Sequence, residues 1–343
     1  MLYNLLSKLN FNGTLEVIDC KNNKYTYGNS KPLVTIRLKN KSIERKLFIN
    51  PNLHIGEGYM NEELVIEQGS VDDFINLVTN CYDDFISKNK FYKFYEYLST
   101  IFMPFQQINQ IVNSKKNVAH HYDIDENLYK LFLDEDMQYS CAYFHNPNIS
   151  LDQAQKDKKQ HIIKKLKINE NMKVLDIGCG WGGMAFEIAR QSQCEVTGIS
   201  LSENQINYCK RKAKELNMDN QVNFELCDYR EVKDKYHRIV SVGAFEHFGK
   251  KFYKTFFKKV KNILNDDGIC LLHTIGSVDS PSPPQTWIQK RIFPGGIVPS
   301  LSDMVVPIEK TGLIISDCET LIHHYDKTLK AWLGRFMQNK EKA

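Results

Sequence analysis

The chain has 343 residues, 42 % hydrophobic and 25 % charged, with a formal charge of +4 and a mean hydropathy of −0.43. That composition excludes disordered, collagen-like and coiled-coil chains and fits about two globular domains. No apolar run approaches the roughly 20 residues that span a bilayer, and the basic bias is too small for a nucleic-acid footprint, so no nucleic-acid partner is expected.

The start, MLYNLLSKLNFNG, lacks a charged region followed by an apolar one, so a cytoplasmic chain is expected. The nine cysteines contain no C-x-x-C pair. Neither a zinc site nor a disulfide framework is supported, and reduced thiols are expected.

Residues 1–90 read as a small α+β domain. LEVID, LVTIRL and KLFIN cluster β-formers between turn signals. SVDDFINLVTNCYDDFIS reads as one helix with Ser70 as its N-cap and Phe74, Leu77, Val78 and Cys81 as its stripe. Residues 91–119 form an aromatic helix and a polar linker. Phe91, Phe94, Tyr95, Leu98, Ile101, Phe102 and Phe105 fall at helical spacing, as core or domain contact, with a membrane-interface contact as the alternative.

From residue 120 to 343, strands alternate with helices. KVLDIGCG, CEVTGIS, VNFELCD, RIVSVGAF and GICLLHTIG read as strands, with helical patterns between them. That rhythm predicts an α/β, Rossmann-like domain with a mostly parallel sheet and helices on both faces. The helix KKFYKTFFKKVKNIL carries lysines around Phe252, Phe256 and Phe257. It reads as a solvated face over an aromatic stripe, with contact to anionic lipid as the alternative.

The first strand of this domain runs into Gly178-Cys-Gly180-Trp-Gly-Gly183, which satisfies G-x-G-x-x-G. Glycines there let the backbone approach a ligand at the sheet's C-terminal edge. Dinucleotide enzymes share this pattern. Two details favour S-adenosylmethionine. Asp176 stands two residues before the first glycine, beside a cationic ligand, and the second strand ends in Gly198-Ile-Ser-Leu without an acidic residue for an NAD ribose.

Further strings complete a pattern: His121-Tyr-Asp123, Leu131-Phe-Leu-Asp134, Met137-Gln-Tyr-Ser-Cys-Ala-Tyr-Phe144, Ser241–Gly249, Leu271–Gly276, Ile292–Gly296 and Val298–Ser300. With the glycine loop, this set resembles the cyclopropane-fatty-acyl-phospholipid synthases and the related mycolic-acid cyclopropane synthases. The segment PNLHIGEGYM resembles the extra N-terminal domain of the phospholipid enzymes.

The resemblance implies a class I methyltransferase domain that transfers a methylene unit from S-adenosylmethionine to the cis double bond of phospholipid acyl chains. Such a chain would be peripheral to the inner face of the membrane. An alkene is a poor nucleophile, so alignment and water exclusion must supply much of the acceleration. The resemblance also implies a bicarbonate ion acting as base, held by Cys141, Glu246, His273, the Ile275 backbone and Tyr325. Cofactor contacts carried over are Tyr139, Ser140, Gly178, Gly180, Ser200, Gln205, Asp228 and Tyr229, with Asp176 joining them from the reading above; Ser200 stands where many relatives have Thr. The pairs His120/His121 and His323/His324 have no partner motif for a metal, and none is expected.

In the family a further helical segment and a last strand follow the equivalent of Ala331–Phe336, whereas this sequence reaches Ala343 inside a helical pattern. The resemblance therefore implies a sheet lacking its last strand. The readings left open are an active synthase, a methyltransferase without ring closure, and an impaired remnant or half of a split enzyme completed by a second polypeptide. A homodimer is compatible with all of them.

Overall fold

A computed structural model describes residues 1–94, 126–277 and 285–342. His121, Asp123, most of the aromatic segment and the linker lie outside the described residues. Two compact units emerge, one from 1–94 with 285–292, the other from 126–277 with 293–342.

In the first unit, β1 (Thr14–Ile18), β2 (Lys24–Tyr27), β3 (Leu33–Leu38) and β4 (Leu64–Gln68) form a sheet of order β2-β1-β3-β4. β1 and β3 are parallel; the other pairs are antiparallel. α1 (Leu2–Leu6), α2 (Lys41–Ile49), α3 (Pro51–Met60), α4 (Val71–Asn80) and α5 (Tyr82–Lys88) accompany the sheet.

The expected strand KLFIN is instead the end of α2. Asn40 caps that helix by accepting from the Ile43 amide, and Ile43 and Leu47 are buried at i, i+4. Here helical periodicity and a cap outweigh β-propensity. Ser70 is the N-cap expected, closed into a capping box by Asp73, but the helix breaks at Cys81 into α4 and α5. Phe91 and Phe94 are exposed while Tyr92 is buried, so the described start of the aromatic segment turns a different face inward.

One excursion was invisible in sequence. Helix α11 (Thr286–Arg291) belongs to this unit, although the chain reaches it only after passing through the second, and it packs on α3. Trp287 covers Gly56, where any Cβ would overlap its indole. Arg291 forms a bidentate pair with Glu57 at 2.6 and 2.8 Å, and that pair holds the Glu57 carboxyl down to about 2.

In the second unit, α6 (Glu126–Lys130) and α7 (Leu151–Leu166) lead into β5 (Lys173–Ile177), α8 (Gly183–Ser192), β6 (Glu195–Ser200), α9 (Glu203–Glu215) and β7 (Val222–Leu226). The chain then crosses to β8 (Tyr236–Val242), α10 (Tyr253–Ile263) and β9 (Leu264–His273). The five strands are all parallel in the order β7-β6-β5-β8-β9. α7, α8 and α9 bury one face of the sheet through Ile162, Leu166, Ile188 and Cys209. α10 buries the other through Tyr253, Phe256, Phe257 and Val260. The α10 aromatics are therefore core, and Lys254, Lys258 and Lys261 stand outside them.

Among the described residues, β9 pairs only with β8. α12 (Leu301–Glu309) and α13 (His324–Asn339) complete the unit. No described helix is long and apolar enough to cross a membrane.

Candidate active site

β5 sits where the strand order reverses, with β6 on one side and β8 on the other, and open α/β sheets bind ligands at that point. The loop leaving β5 takes positive φ at Gly178 (77°), Gly180 (53°) and Gly182 (83°). The Gly178 and Cys179 amides both donate to the Ile199 carbonyl, at 2.9 and 3.0 Å, which pins the loop to the neighbouring strand. A Cβ on Gly178 would overlap that of Ala244, whereas Gly180 faces open space. Gly178→Ala should therefore cost about 3 kcal/mol or more, by strain and overlap together; thermal unfolding reads this directly.

A cleft of about 1080 Å³, including its open mouth, lies over this loop. Its walls include Tyr139, Ser140, Asp176, Gly178, Gly180, Ser200, Gln205, Asp228 and Tyr229, so one cavity gathers all nine residues read from the sequence as cofactor contacts. Ser200 Oγ donates to Gln205 Oε1 at 2.9 Å, which orients both. Asp228 is taken up by Arg230 in a bidentate pair at 2.7 and 2.6 Å, a partner the sequence did not suggest.

Three buried polar atoms at the cleft have no partner among the described residues: Asp176 Oδ2, Trp181 Nε1 and Tyr229 OH. Burial without compensation pushes the Asp176 carboxyl up to about 7. Unsatisfied buried groups of this kind are costly and mark a ligand's place.

The five residues read as catalytic do not line this cleft. Cys141 directly follows Ser140, His273 stands opposite Val242 at the end of β9, and Tyr325 lies within electrostatic reach of Tyr139, Glu246 and Cys141. Glu246 lies in a short turn after β8 and accepts the Ile275 amide on Oε1 at 2.7 Å. The amide assigned to an anion is thus engaged by Glu246. Glu246 Oε2 and His273 Nδ1 are buried and unpartnered.

Burial raises the Glu246 carboxyl and the Tyr325 phenol, the latter also opposed by charge on Glu246 and Cys141. Burial lifts the Cys141 thiol to about 11 and lowers His273 to about 4, so the imidazole is neutral near pH 7. The outcome is a buried pocket in which Cys141 and His273 are neutral near pH 7.

An aromatic cluster adjoins it. Tyr139 stacks on Trp332 at 5.2 Å between centroids and meets Tyr129 at 5.4 Å, and Tyr325 meets Trp332 edge-on at 6.3 Å.

α13 holds this corner together; its helical pattern was read from the sequence, but of its contacts at the site only Tyr325 was. Thr328 Oγ1 accepts the Ala142 amide at 3.0 Å and donates to the His324 carbonyl at 2.8 Å. Arg335 donates to the Leu133 carbonyl at 2.7 Å and pairs with Asp152. His324 Nδ1 accepts the Phe144 amide at 3.0 Å, so this histidine is structural. No described His, Cys, Asp or Glu cluster would hold a metal. Thr328 is fully buried, so Thr328→Val would orphan the Ala142 N–H. A loss of about 1–3 kcal/mol is expected in denaturant unfolding.

Sheet order, glycine loop and cleft define the fold of a class I S-adenosylmethionine-dependent methyltransferase. A family model described as "Mycolic acid cyclopropane synthetase" matches residues 109–343, and the chain belongs to that family. A "domain of unknown function" model matches residues 2–90.

The chain is 41 % identical over 217 residues to the cyclopropane-fatty-acyl-phospholipid synthase of Escherichia coli (strain K12), covering 63 % of this chain and 55 % of that one. It is 36 % identical over 233 residues to a probable fatty acid methyltransferase of Pseudomonas putida, covering 66 % and 59 %. The matches thus span less than two thirds of these relatives' length. Among solved structures, mycolic acid cyclopropane synthase CmaA1 complexed with SAH and CTAB is similar with a TM-score of 0.63 at 32 % identity, covering 66 % of this chain and 85 % of that one.

Proposed function

We propose that the chain transfers a methylene unit from S-adenosylmethionine to the cis double bond of unsaturated phospholipid acyl chains, forming cyclopropane rings. The observation that carries this reading is the juxtaposition of two sites. A cleft with an uncompensated buried carboxyl, Asp176, adjoins a buried pocket with unpartnered polar atoms and an aromatic wall.

S-adenosylmethionine fits the cleft because its cationic groups would give Asp176 the partner it lacks. When bound, it supplies an electrophilic methyl group. Asp176, Ser200 and Gln205 orient it, and the Gly180 backbone allows close approach. Tyr139, Trp332 and Tyr325 exclude water and offer ring faces to positive charge developing on the acyl chain, worth about 0.5–2 kcal/mol per contact.

Bicarbonate fits the pocket because it both donates and accepts, as Glu246 Oε2 and His273 Nδ1 require. When bound, it supplies a base for the proton that must leave the transferred methyl. Cys141, His273, Tyr325 and Glu246 would hold it there, with the Ile275 amide engaged by Glu246 Oε1.

The CTAB complexed with CmaA1 is a long-chain cation, which supports an acyl-chain site in a protein of this family. Methyl-labelled cofactor incubated with vesicles of unsaturated phospholipid tests the reading. Label is expected in the lipid, and none in vesicles of saturated lipid. Equal labelling of both would overturn an alkene acceptor.

A further inference from the structure

Helix α7 carries Gln155, Lys158 and Lys159 at i, i+3 and i+4, and all three are buried, at 0 %, 2 % and 1 % exposure. Gln155 Nε2 donates to the Gln138 carbonyl at 3.3 Å and the Ser140 carbonyl at 3.0 Å. Lys159 pairs with Asp136. Lys158 Nζ donates to Ser140 Oγ at 2.7 Å. One helix face thus holds the segment that ends at Cys141.

The two lysines differ. Among the described residues, no carboxylate lies within ion-pair distance of the Lys158 ammonium. The buried Asp134 acts on it only through space and spends its oxygens on the Gln138 and Asp136 amides. The other groups facing Lys158 are Lys159, Cys141 and His273, and its charge acts on the last two. Burying an ammonium on one hydroxyl is unfavourable, and burial pulls it down to about 7. In the same pocket, Glu246 Oε2 and His273 Nδ1 are unpartnered. The Lys158 ammonium thus lacks a paired counter-charge, and Glu246 Oε2 and His273 Nδ1 lack a group that both donates and accepts.

We propose that Lys158 is a positioning residue of the anion pocket: its ammonium fixes Ser140, and so Cys141, and is the counter-charge for an anion bound beside Cys141 and His273. The inference rests on the bicarbonate reading above. Anion and proton then bind cooperatively, because each lowers the cost of burying the other's charge. His273 and Cys141 titrate well outside pH 7–8, whereas the Glu246 and Asp176 carboxyls are raised, so the Lys158 variants below are what assign the pH dependence to Lys158.

The test is calorimetric titration of bicarbonate into the full chain saturated with S-adenosylhomocysteine, at pH 7 and pH 8. For the unsubstituted chain, Kd should rise about fivefold between the two, as Lys158 loses its proton. Lys158→Met should weaken binding at least about tenfold at pH 7 and abolish the pH dependence. Lys158→Arg, which stays charged, should keep the pH 7 affinity and also lose the dependence.

S-adenosylhomocysteine affinity should hold within about threefold in both variants; a merely structural role would lower it and leave the pH slope intact. Lys158→Met binding bicarbonate with unchanged affinity and slope overturns the inference and leaves the anion reading standing. No binding by the unsubstituted chain overturns both. If Lys158→Met does not fold, an unaltered slope in Lys158→Arg overturns the inference.

Discussion

Glu246→Gln is expected to lower turnover about a thousandfold while cofactor affinity stays within about threefold. Glu246 is buried, and its Oε1 anchors the Ile275 amide at 2.7 Å. Glutamine can keep that bond, so the local fold should survive. What it loses is the capacity of Oε2 to take or give a proton beside His273 and Tyr325. Initial rates with saturating cofactor, set against calorimetric binding of S-adenosylhomocysteine, separate the two effects. Turnover above about one tenth of the unsubstituted rate would remove Glu246 from the proton chemistry.

Asp176→Asn should weaken S-adenosylmethionine binding about a hundredfold, the scale of a lost buried charge partner. The pH behaviour carries the sharper signature. With its pKa raised to about 7, the Asp176 carboxyl is mostly neutral at pH 6 and mostly ionised at pH 8. A cationic ligand selects the ionised form. Binding should therefore be strong above pH 7 and weaken by up to about tenfold for each unit below it. The neighbouring Cys179 thiol is raised and stays protonated throughout. Asp176→Asn should flatten the profile. A dissociation constant that is constant from pH 6 to 8 would mean that Asp176 is not the counter-charge.

Of the cofactor half, Asp176 and the glycine loop were legible from the residues themselves, because they form one short contiguous string at a strand end; Tyr139, Ser140, Ser200, Gln205, Asp228 and Tyr229 came only through resemblance. Asp176 lies near the end of β5, Gly178 and Gly180 on the loop that leaves it, and Asp228 and Tyr229 on the loop after β7. The pocket half was likewise legible only through resemblance, since Cys141, Glu246, His273 and Tyr325 come from four separate segments.

Lys158 was missed because QKDKKQ reads as a solvated charged face. The signal was nonetheless present: Leu151, Ala154 and Ile162 define a buried stripe at helical spacing, and Lys158 falls on it. Thr328 and Trp332 were missed although Tyr325, Thr328, Trp332 and Phe336 recur at helical spacing along α13. KLFIN was misread because Leu47, Phe48 and Ile49 in a row looked decisive without the Asn40 cap that starts the helix nine residues long. Docking of α11 on α3 left no trace in local pattern, since it depends on Trp287 meeting the bare backbone of Gly56.

The central claim is ring closure on an alkene, and it is tested most directly with S-adenosylmethionine carrying a fully deuterated methyl group. Lipid from unsaturated phospholipid vesicles incubated with the chain, that cofactor and bicarbonate is analysed by mass spectrometry. The account predicts an acyl chain that has gained a CD₂ unit and lost its double bond, one deuteron having left with the base. A product that keeps all three deuterons on a methyl branch, or retains the alkene, would contradict it.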